Sequence, residues 1–277
     1  MFTNHLNPIL LSFGHFTIRW YGLFLAIGVG LSVWIIYNLT KQKKLSTNTI
    51  LDLLLWLIIG GLIGARLGYA FFYQAKYFLV YPLEIFFINH GGLSSHGLVI
   101  GLIIAFVLFN RLNHHTNTHT TDNFDVVVKK ISLKRYLNIL IIPIPLLAMF
   151  IRIGNFFNSE IIGRVTNLPW GVYFPQAEIN PLLRHPVQLY EALLLLIIFL
   201  ILFIIYKKHS VKLPPLFLLH LFMLLYFGGR FLLEFTKEFQ IFSHGLTMGQ
   251  WLSLPLIIWS IYWFVKKKNN ITKFLSS

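Results

Sequence analysis

The densest chemistry in this chain lies in Arg152-Ile153-Gly154-Asn155-Phe156-Phe157-Asn158-Ser159-Glu160-Ile161-Ile162-Gly163-Arg164, which follows directly on the almost wholly apolar run from Ile139 to Ile151. Arg152 and Asn155 are thereby placed at, or just below, a membrane surface. Charge and amide at that depth are costly and usually functional. Two arginines, a glutamate, two asparagines and two glycines so close together read as a polar site rather than a loop that merely connects, and the question is what such a site binds.

Other residues reach the same level. At 1.5 Å per residue, Arg66 lies about 22 Å along a helix that starts near Leu51, in its outer half. Arg230 stands near the outer end of another apolar run, and Arg19, Tyr21 and His96 open two more. For any single one of these, snorkelling to the interface is the bland reading. For the set, an anionic group bound at the outer side explains the convergence better, and Arg offers a planar fork that suits phosphate oxygens. Tyr226, Arg230 and Glu234 are spaced i, i+4, i+8 and stack on one helical face; an internal Arg230–Glu234 ion pair is the alternative. Lys237 and Glu238 read as ordinary loop charges. Gly91-Gly92-Leu93-Ser94-Ser95-His96-Gly97 enters a helix with free N–H groups that suit an anion. His96 there has a pKa range suited to general-base work, with a structural histidine as the competing reading.

The elements that hold these residues are membrane helices. Of the 277 residues 56% are hydrophobic and 12% charged, and the mean hydropathy is +0.70. These values predict an all-α, polytopic integral membrane protein. Spans need roughly 20 apolar residues each, and about seven are expected: Trp20–Leu39, Leu51–Tyr73, Leu93–Asn110, Leu137–Asn155, Val187–Tyr206, Leu213–Phe235 and Met248–Val265. Pro143 and Pro145 should kink the fourth. Residues 156–186, with Pro169, Trp170, Gly171, Pro175 and Pro181, predict a small extracytoplasmic cap, and 113–136 a cytoplasmic loop. The whole, 1–277, is expected to be one transmembrane domain.

A net charge of +14 invites a nucleic-acid reading, but its distribution opposes one. Lys41, Lys43, Lys44; Arg111, Lys129, Lys130, Lys134, Arg135; Lys207, Lys208, Lys212; and Lys266, Lys267, Lys268, Lys273 occupy alternate loops, whereas the opposite loops hold only Arg19, Lys76, Arg164, Arg184 and Lys237. This positive-inside pattern puts the N-terminus outside and the C-terminus in the cytoplasm. The first 18 residues carry no Lys or Arg, so no cleavable signal peptide is expected. Cysteine is absent, which removes disulfides, a thiolate nucleophile and Cys-based metal sites. His114, His115 and His119 lie in a polar loop and read as solvated, and no metal site is expected.

The motifs taken in order resemble the bacterial phosphatidylglycerol–prolipoprotein diacylglyceryl transferases. Ile18-Arg19-Trp20-Tyr21-Gly22, Gly64-Ala65-Arg66-Leu67-Gly68-Tyr69, the His96 segment, Arg152–Arg164, His185-Pro186-Val187-Gln188-Leu189-Tyr190-Glu191 and Arg230-Phe231-Leu232-Leu233-Glu234-Phe235 are similar to family segments from end to end. The chain departs where Ile151 and Leu98 replace a common glycine and Lys237 a common arginine. The resemblance implies transfer of diacylglyceryl from phosphatidylglycerol to the lipobox cysteine thiol of a prolipoprotein signal peptide, without cofactor or metal, at the bacterial cytoplasmic (inner) membrane. It implies catalytic roles for His96, Arg152 and Arg230, and substrate-binding roles for Tyr21, Arg66, Asn155, Glu160, Gly163, Tyr226 and Glu234. The competing classes are an anion or lipid transporter and a membrane scaffold. No internal repeat or paired interrupted helices support the first, and the second leaves the polar cluster unexplained.

Overall fold

A computed structural model describes residues 2–14, 16–42, 47–87, 92–115, 133–209, 213–238, 245–268 and 272. They divide into two compact units, Met1–Ile36 with Ser132–Ser277, and Tyr37–Ile131. Among the described residues six helices are long and apolar enough to cross a membrane: Trp20–Gln42, Asn48–Phe72, Leu137–Phe157, Val187–His209, Phe217–Thr236 and Met248–Lys266. The third expected span is also helical, Ser95–His115, with its described apolar stretch limited to Gly97–Leu112. The architecture is therefore the expected helical membrane protein, with about seven as its approximate count.

The first unit begins with three short strands, β1 (Phe2–Thr3), β2 (Ile9–Phe13) and β3 (Phe16–Arg19), and with the long helix α1 (Trp20–Gln42) as far as Ile36; the rest of α1 is assigned to the second unit. α2 (Thr47–Phe72), α3 (Ala75–Val80) and α4 (Ser95–His115) belong to the second unit. There α2 and α4 pack almost backbone to backbone. A Cβ on Gly64 would come within 2.4 Å of the Gly97 carbonyl oxygen, and one on Gly97 within 2.2 Å of the Gly64 carbonyl oxygen. Small residues let membrane helices approach this closely, because dispersion rather than water exclusion drives their association.

Back in the first unit, the expected kink is a two-residue turn at Ile141–Ile142 that interrupts the Leu137–Phe157 span. α5 (Leu133–Leu140) ends, a turn intervenes, and α6 starts at Pro143 and runs to Phe157. Proline's missing N–H costs nothing in a helix's first turn, which is why the chain restarts there. α7 (Val187–His209) and α8 (Phe217–Leu233) follow, then α9 (Met248–Lys266), whose start carries a reciprocal capping box between Thr247 and Gln250. Basic residues close α1 (Lys41), α7 (Lys207, Lys208, His209) and α9 (Lys266), where they complement the helix C-terminal dipole.

The cap carries the departure from an all-helical reading. β4 (Val172–Tyr173) pairs in parallel with the N-terminal β1 and antiparallel with β5 (Leu183–Arg184). Beneath the sheet, Phe156, Val172 and Phe174 form a small core with Leu6, Phe157 and Ile162 against it. Strands of two residues have no readable period, so sequence alone could not show that residues 2–6 complete the cap.

Candidate active site

α6 delivers Arg152 and Asn155 one turn apart at its C-terminal end. The Arg152 guanidinium Nη1 donates to Asn155 Oδ1 (3.3 Å), and Asn155 Nδ2 donates to Glu160 Oε2 (2.8 Å). Asn158 Nδ2 donates to the other Glu160 oxygen (3.1 Å), and Gln188 Nε2, from the first turn of α7, to the Glu160 backbone carbonyl (2.6 Å). The turn holding Glu160 is strained. Ser159 and Ile161 adopt φ of 53° and 56°, a left-handed conformation that side chains other than Gly favour little, β-branched ones least. Strain of this kind persists where surrounding bonds over-determine it. Here they do: buried Asn4 donates to the Phe156 carbonyl (2.8 Å) and to Ser159 Oγ (3.2 Å), holding the turn from the N-terminal side.

A chain of alternating charges extends from Arg152. Glu191, buried on α7, sets Oε2 at 2.7 Å from Arg152 Nε, an ion-pair distance at which no aligned hydrogen bond is made, and Oε1 at 2.6 Å from Lys237 Nζ. Lys237 also pairs with Glu234 Oε2 (3.2 Å), whose Oε1 accepts from Thr247 Oγ1 (3.1 Å). Lys237 is only 2% exposed, so its charge depends on these two carboxylates; a buried ammonium without partners is prohibitive. This corrects its reading as an ordinary loop charge. Arg230 has Tyr226, Glu234 and Glu191 as its electrostatic neighbours. Glu234 itself opens a short 3₁₀ turn after α8 and takes Lys237 and Thr247 as close partners.

These groups surround a cavity of about 430 Å³ lined by Arg152, Ile161, Ile162, Arg230, Lys237 and Glu238. Three cations on one small, partly apolar cavity suit a phosphate, since poor solvation strengthens charge interactions relative to water. Residues 8–266 match the prolipoprotein diacylglyceryl transferase family model. The chain belongs to this family. The phosphatidylglycerol–prolipoprotein diacylglyceryl transferase of Bacteroides fragilis is 36% identical over 282 residues, covering 96% of this chain and 95% of the relative. That of Chloroherpeton thalassium is 37% identical over 256 residues, 91% of this chain and 89% of the relative. That of Porphyromonas gingivalis is 36% identical over 288 residues, with 98% and 96% covered. As a family member the chain is a multi-pass membrane transferase of lipoprotein biosynthesis.

Of the residues singled out in this diacylglyceryl transferase family chain, eight lie in the first unit: Tyr21, Arg152, Asn155, Glu160, Gly163, Tyr226, Arg230 and Glu234. The Tyr21 ring packs on Gly154, where an added Cβ would fall 2.8 Å from Tyr21 Cδ2, and Glu160 and Arg152 are its charged neighbours. Gly163 is needed for close approach: its Cβ would meet the His185 carbonyl oxygen at 2.5 Å and Val187 Cγ2 at 2.6 Å. Arg66 and His96 belong to the second unit. Arg66 is buried there, donating to the carbonyls of Glu84, Ile85, Phe87 and Gly92 and lying over the Phe78 ring. It holds the 3₁₀ turn Pro82–Phe86 that follows α3. His96 stands in the first turn of α4, and its side chain lies outside the described residues.

Glu191 and Gln188, which share one face of α7 at i, i+3, entered the sequence reading only within the family-like segment His185–Glu191 and without a role, and Asn4 did not enter it. For Glu191 a signal existed, because a carboxylate inside an otherwise apolar span is rare and usually paired.

A second cluster pins the cap. Arg184 is buried; it donates from Nη1 to the Gly163 carbonyl (2.9 Å) and pairs with Glu178 and Glu238. The hydrogen bond from Arg184 holds the Glu178 carboxyl below its usual range, and the same bond raises Arg184. A depressed carboxyl stabilises the fold above its unfolded pKa of about 4.3 and loses that contribution as pH falls through the folded value. The Arg184–Glu178 clasp is thus fully made at neutral pH. Trp170 Nε1 donates to Tyr190 Oη (2.8 Å), which also meets His185 Nδ1 (3.2 Å), tying cap to α7.

Proposed function

We propose that the cavity between Arg152, Arg230 and Lys237 holds the phosphoglycerol head group of phosphatidylglycerol while its diacylglyceryl moiety is transferred to the lipobox cysteine of a prolipoprotein. The reading rests on the three cations that line one cavity. In the reaction the substrate thiol sulfur attacks the glyceryl carbon that bears the phosphate ester. An S–C bond forms, the C–O bond breaks with its electron pair going to oxygen, and glycerol phosphate departs. Its phosphate goes from one negative charge as a diester towards two, so cations placed beforehand favour the transition state over the ground state.

Arg152 and Arg230 are the catalytic cations in this scheme, and Lys237 is the third positive group. Glu191 and Glu234 fix their positions, and Asn155, Glu160, Tyr21 and Tyr226 orient the head group or the arginines, Tyr226 beside Arg230. Gly163 lets the chain pack against His185 and Val187 next to Ile162, which lines the cavity. His96 is assigned the thiol proton on residue type and family resemblance, and Arg66 supports its own unit's 3₁₀ turn. The two units serve one transferase domain, with the N-terminus outside and the C-terminus in the cytoplasm, in the bacterial inner membrane. Chemistry of this kind needs no metal, because the cations neutralise the leaving group and the peptide brings the nucleophile.

The leaving group tests the cavity assignment. Free glycerol phosphate should inhibit transfer competitively against phosphatidylglycerol in steady-state kinetics, and glycerol at the same concentration should not. Equal inhibition by both, or none by the phosphate, would remove the cavity from the reaction.

A further inference from the structure

The hairpin β2–β3 has two chemically distinct faces. Cα pairing sets Leu11 opposite Ile18 and Phe13 opposite Phe16, whereas Ser12 lies opposite Thr17. Because successive strand residues point to opposite sides, Leu11, Phe13 and Ile18 share one face and Ser12 and Thr17 the other. Nothing among the described residues covers the apolar face: Leu11 is 47% exposed, Phe13 66% and Ile18 47%. Isolated two-stranded hairpins are marginal in water, so a face like this one needs a cover.

Its position says what the cover is. Arg19 ends the hairpin, and Trp20 opens the spanning helix α1 with no linker between them. The Trp20 N–H donates to the Pro8 carbonyl (3.0 Å), which closes the hairpin's base onto the helix start. The hairpin is therefore held within one residue of the bilayer. It carries Arg19 and no carboxylate, the first acidic residue of the chain being Asp52, so its charge is compatible with an anionic lipid surface.

We propose that the strands Ile9–Phe13 and Phe16–Arg19 lie in the outer-leaflet interface, with Leu11, Phe13 and Ile18 among lipid headgroups and upper acyl chains and Ser12 and Thr17 facing water. Seated there, they fix the depth of the outer end of α1. The Trp20 ring packs on Phe157, with centroids 5.2 Å apart, and Tyr21 on Gly154, so the seat also sets the level of the polar cluster at the end of α6.

The chain has no cysteine, so single labels can be placed freely. Leu11→Cys, Ser12→Cys, Thr17→Cys and Ile18→Cys would each carry a nitroxide, in full-length protein reconstituted into phosphatidylglycerol–phosphatidylethanolamine vesicles. Spin relaxation by oxygen, which partitions into lipid, would be compared with relaxation by a water-soluble nickel chelate. The expected pattern is alternation, with oxygen favoured severalfold at 11 and 18 and the chelate favoured at 12 and 17. Chelate access at all four positions would overturn the proposal. So would protection of 11 and 18 from both reagents, which would mean that protein covers the face.

Discussion

Arg152→Ala should lower kcat/KM for diacylglyceryl transfer by at least about 100-fold, the scale on which a single preorganised donor to developing negative charge acts. Two effects add in this variant. The cavity loses one of its three cations, and Glu191, whose Oε2 lies 2.7 Å from Arg152 Nε, is left with a carboxylate oxygen facing the space that the phosphate needs. The phosphate then meets a negative neighbour where it met a guanidinium. Arg152→Lys should recover part of the loss, because it restores charge without the bidentate fork. Its shorter reach also gives up the hydrogen bond to Asn155. Steady-state kinetics in phosphatidylglycerol vesicles with a lipobox peptide would read both variants. A loss of tenfold or less in Arg152→Ala would place the leaving group elsewhere.

Glu191→Gln is expected to be nearly as damaging, for a different reason. One carboxylate spaces two cations from separate elements, Arg152 on α6 and Lys237 after α8, at 2.7 and 2.6 Å. Neutralising it leaves Lys237, 2% exposed, with Glu234 as its close carboxylate partner. Removing one member of a buried pair typically costs about 3–5 kcal/mol, so the thermal midpoint should fall together with turnover. A double variant separates the two effects. Glu191→Gln with Lys237→Met removes both charges, which is often neutral for stability, so the midpoint should return towards wild type. Activity should not return, because the cavity still lacks a cation and Arg152 has lost its anchor. Recovery of both quantities would mean that the network serves folding alone.

These two residues also mark where sequence reading stops. Arg152, Asn155 and Glu160 were legible because they are near neighbours in one polar segment beside an apolar run, and the structure joins them by hydrogen bonds. The spans were legible from length and apolarity alone, and Pro143 marked a disturbance that proved to be a two-residue turn. Glu191 was legible only as a carboxylate inside an apolar span; its partners come from α6 and from the residues beyond α8, and no local spacing records such a meeting. Lys237 looked like a solvated charge in an outer loop; its burial depends on Gly163 and Arg164, which bind its backbone by a bridge and by a hydrogen bond of 2.8 Å to its carbonyl. Arg66 carried the opposite ambiguity. Its partners include backbone carbonyls of the 3₁₀ turn Pro82–Phe86, and backbone acceptors leave no residue-type pattern.

If a cationic cavity in this chain supports carbon–oxygen cleavage at phosphatidylglycerol by a peptide thiol, both products of that cleavage must appear together. The measurement that meets this most directly is mass spectrometry of a lipobox peptide incubated with purified, reconstituted protein and phosphatidylglycerol, with glycerol phosphate quantified in the same samples. The expected result is a peptide heavier by one diacylglyceryl group on its cysteine and one glycerol phosphate released per peptide modified. An unmodified peptide, or glycerol phosphate released without thioether formation, would contradict it.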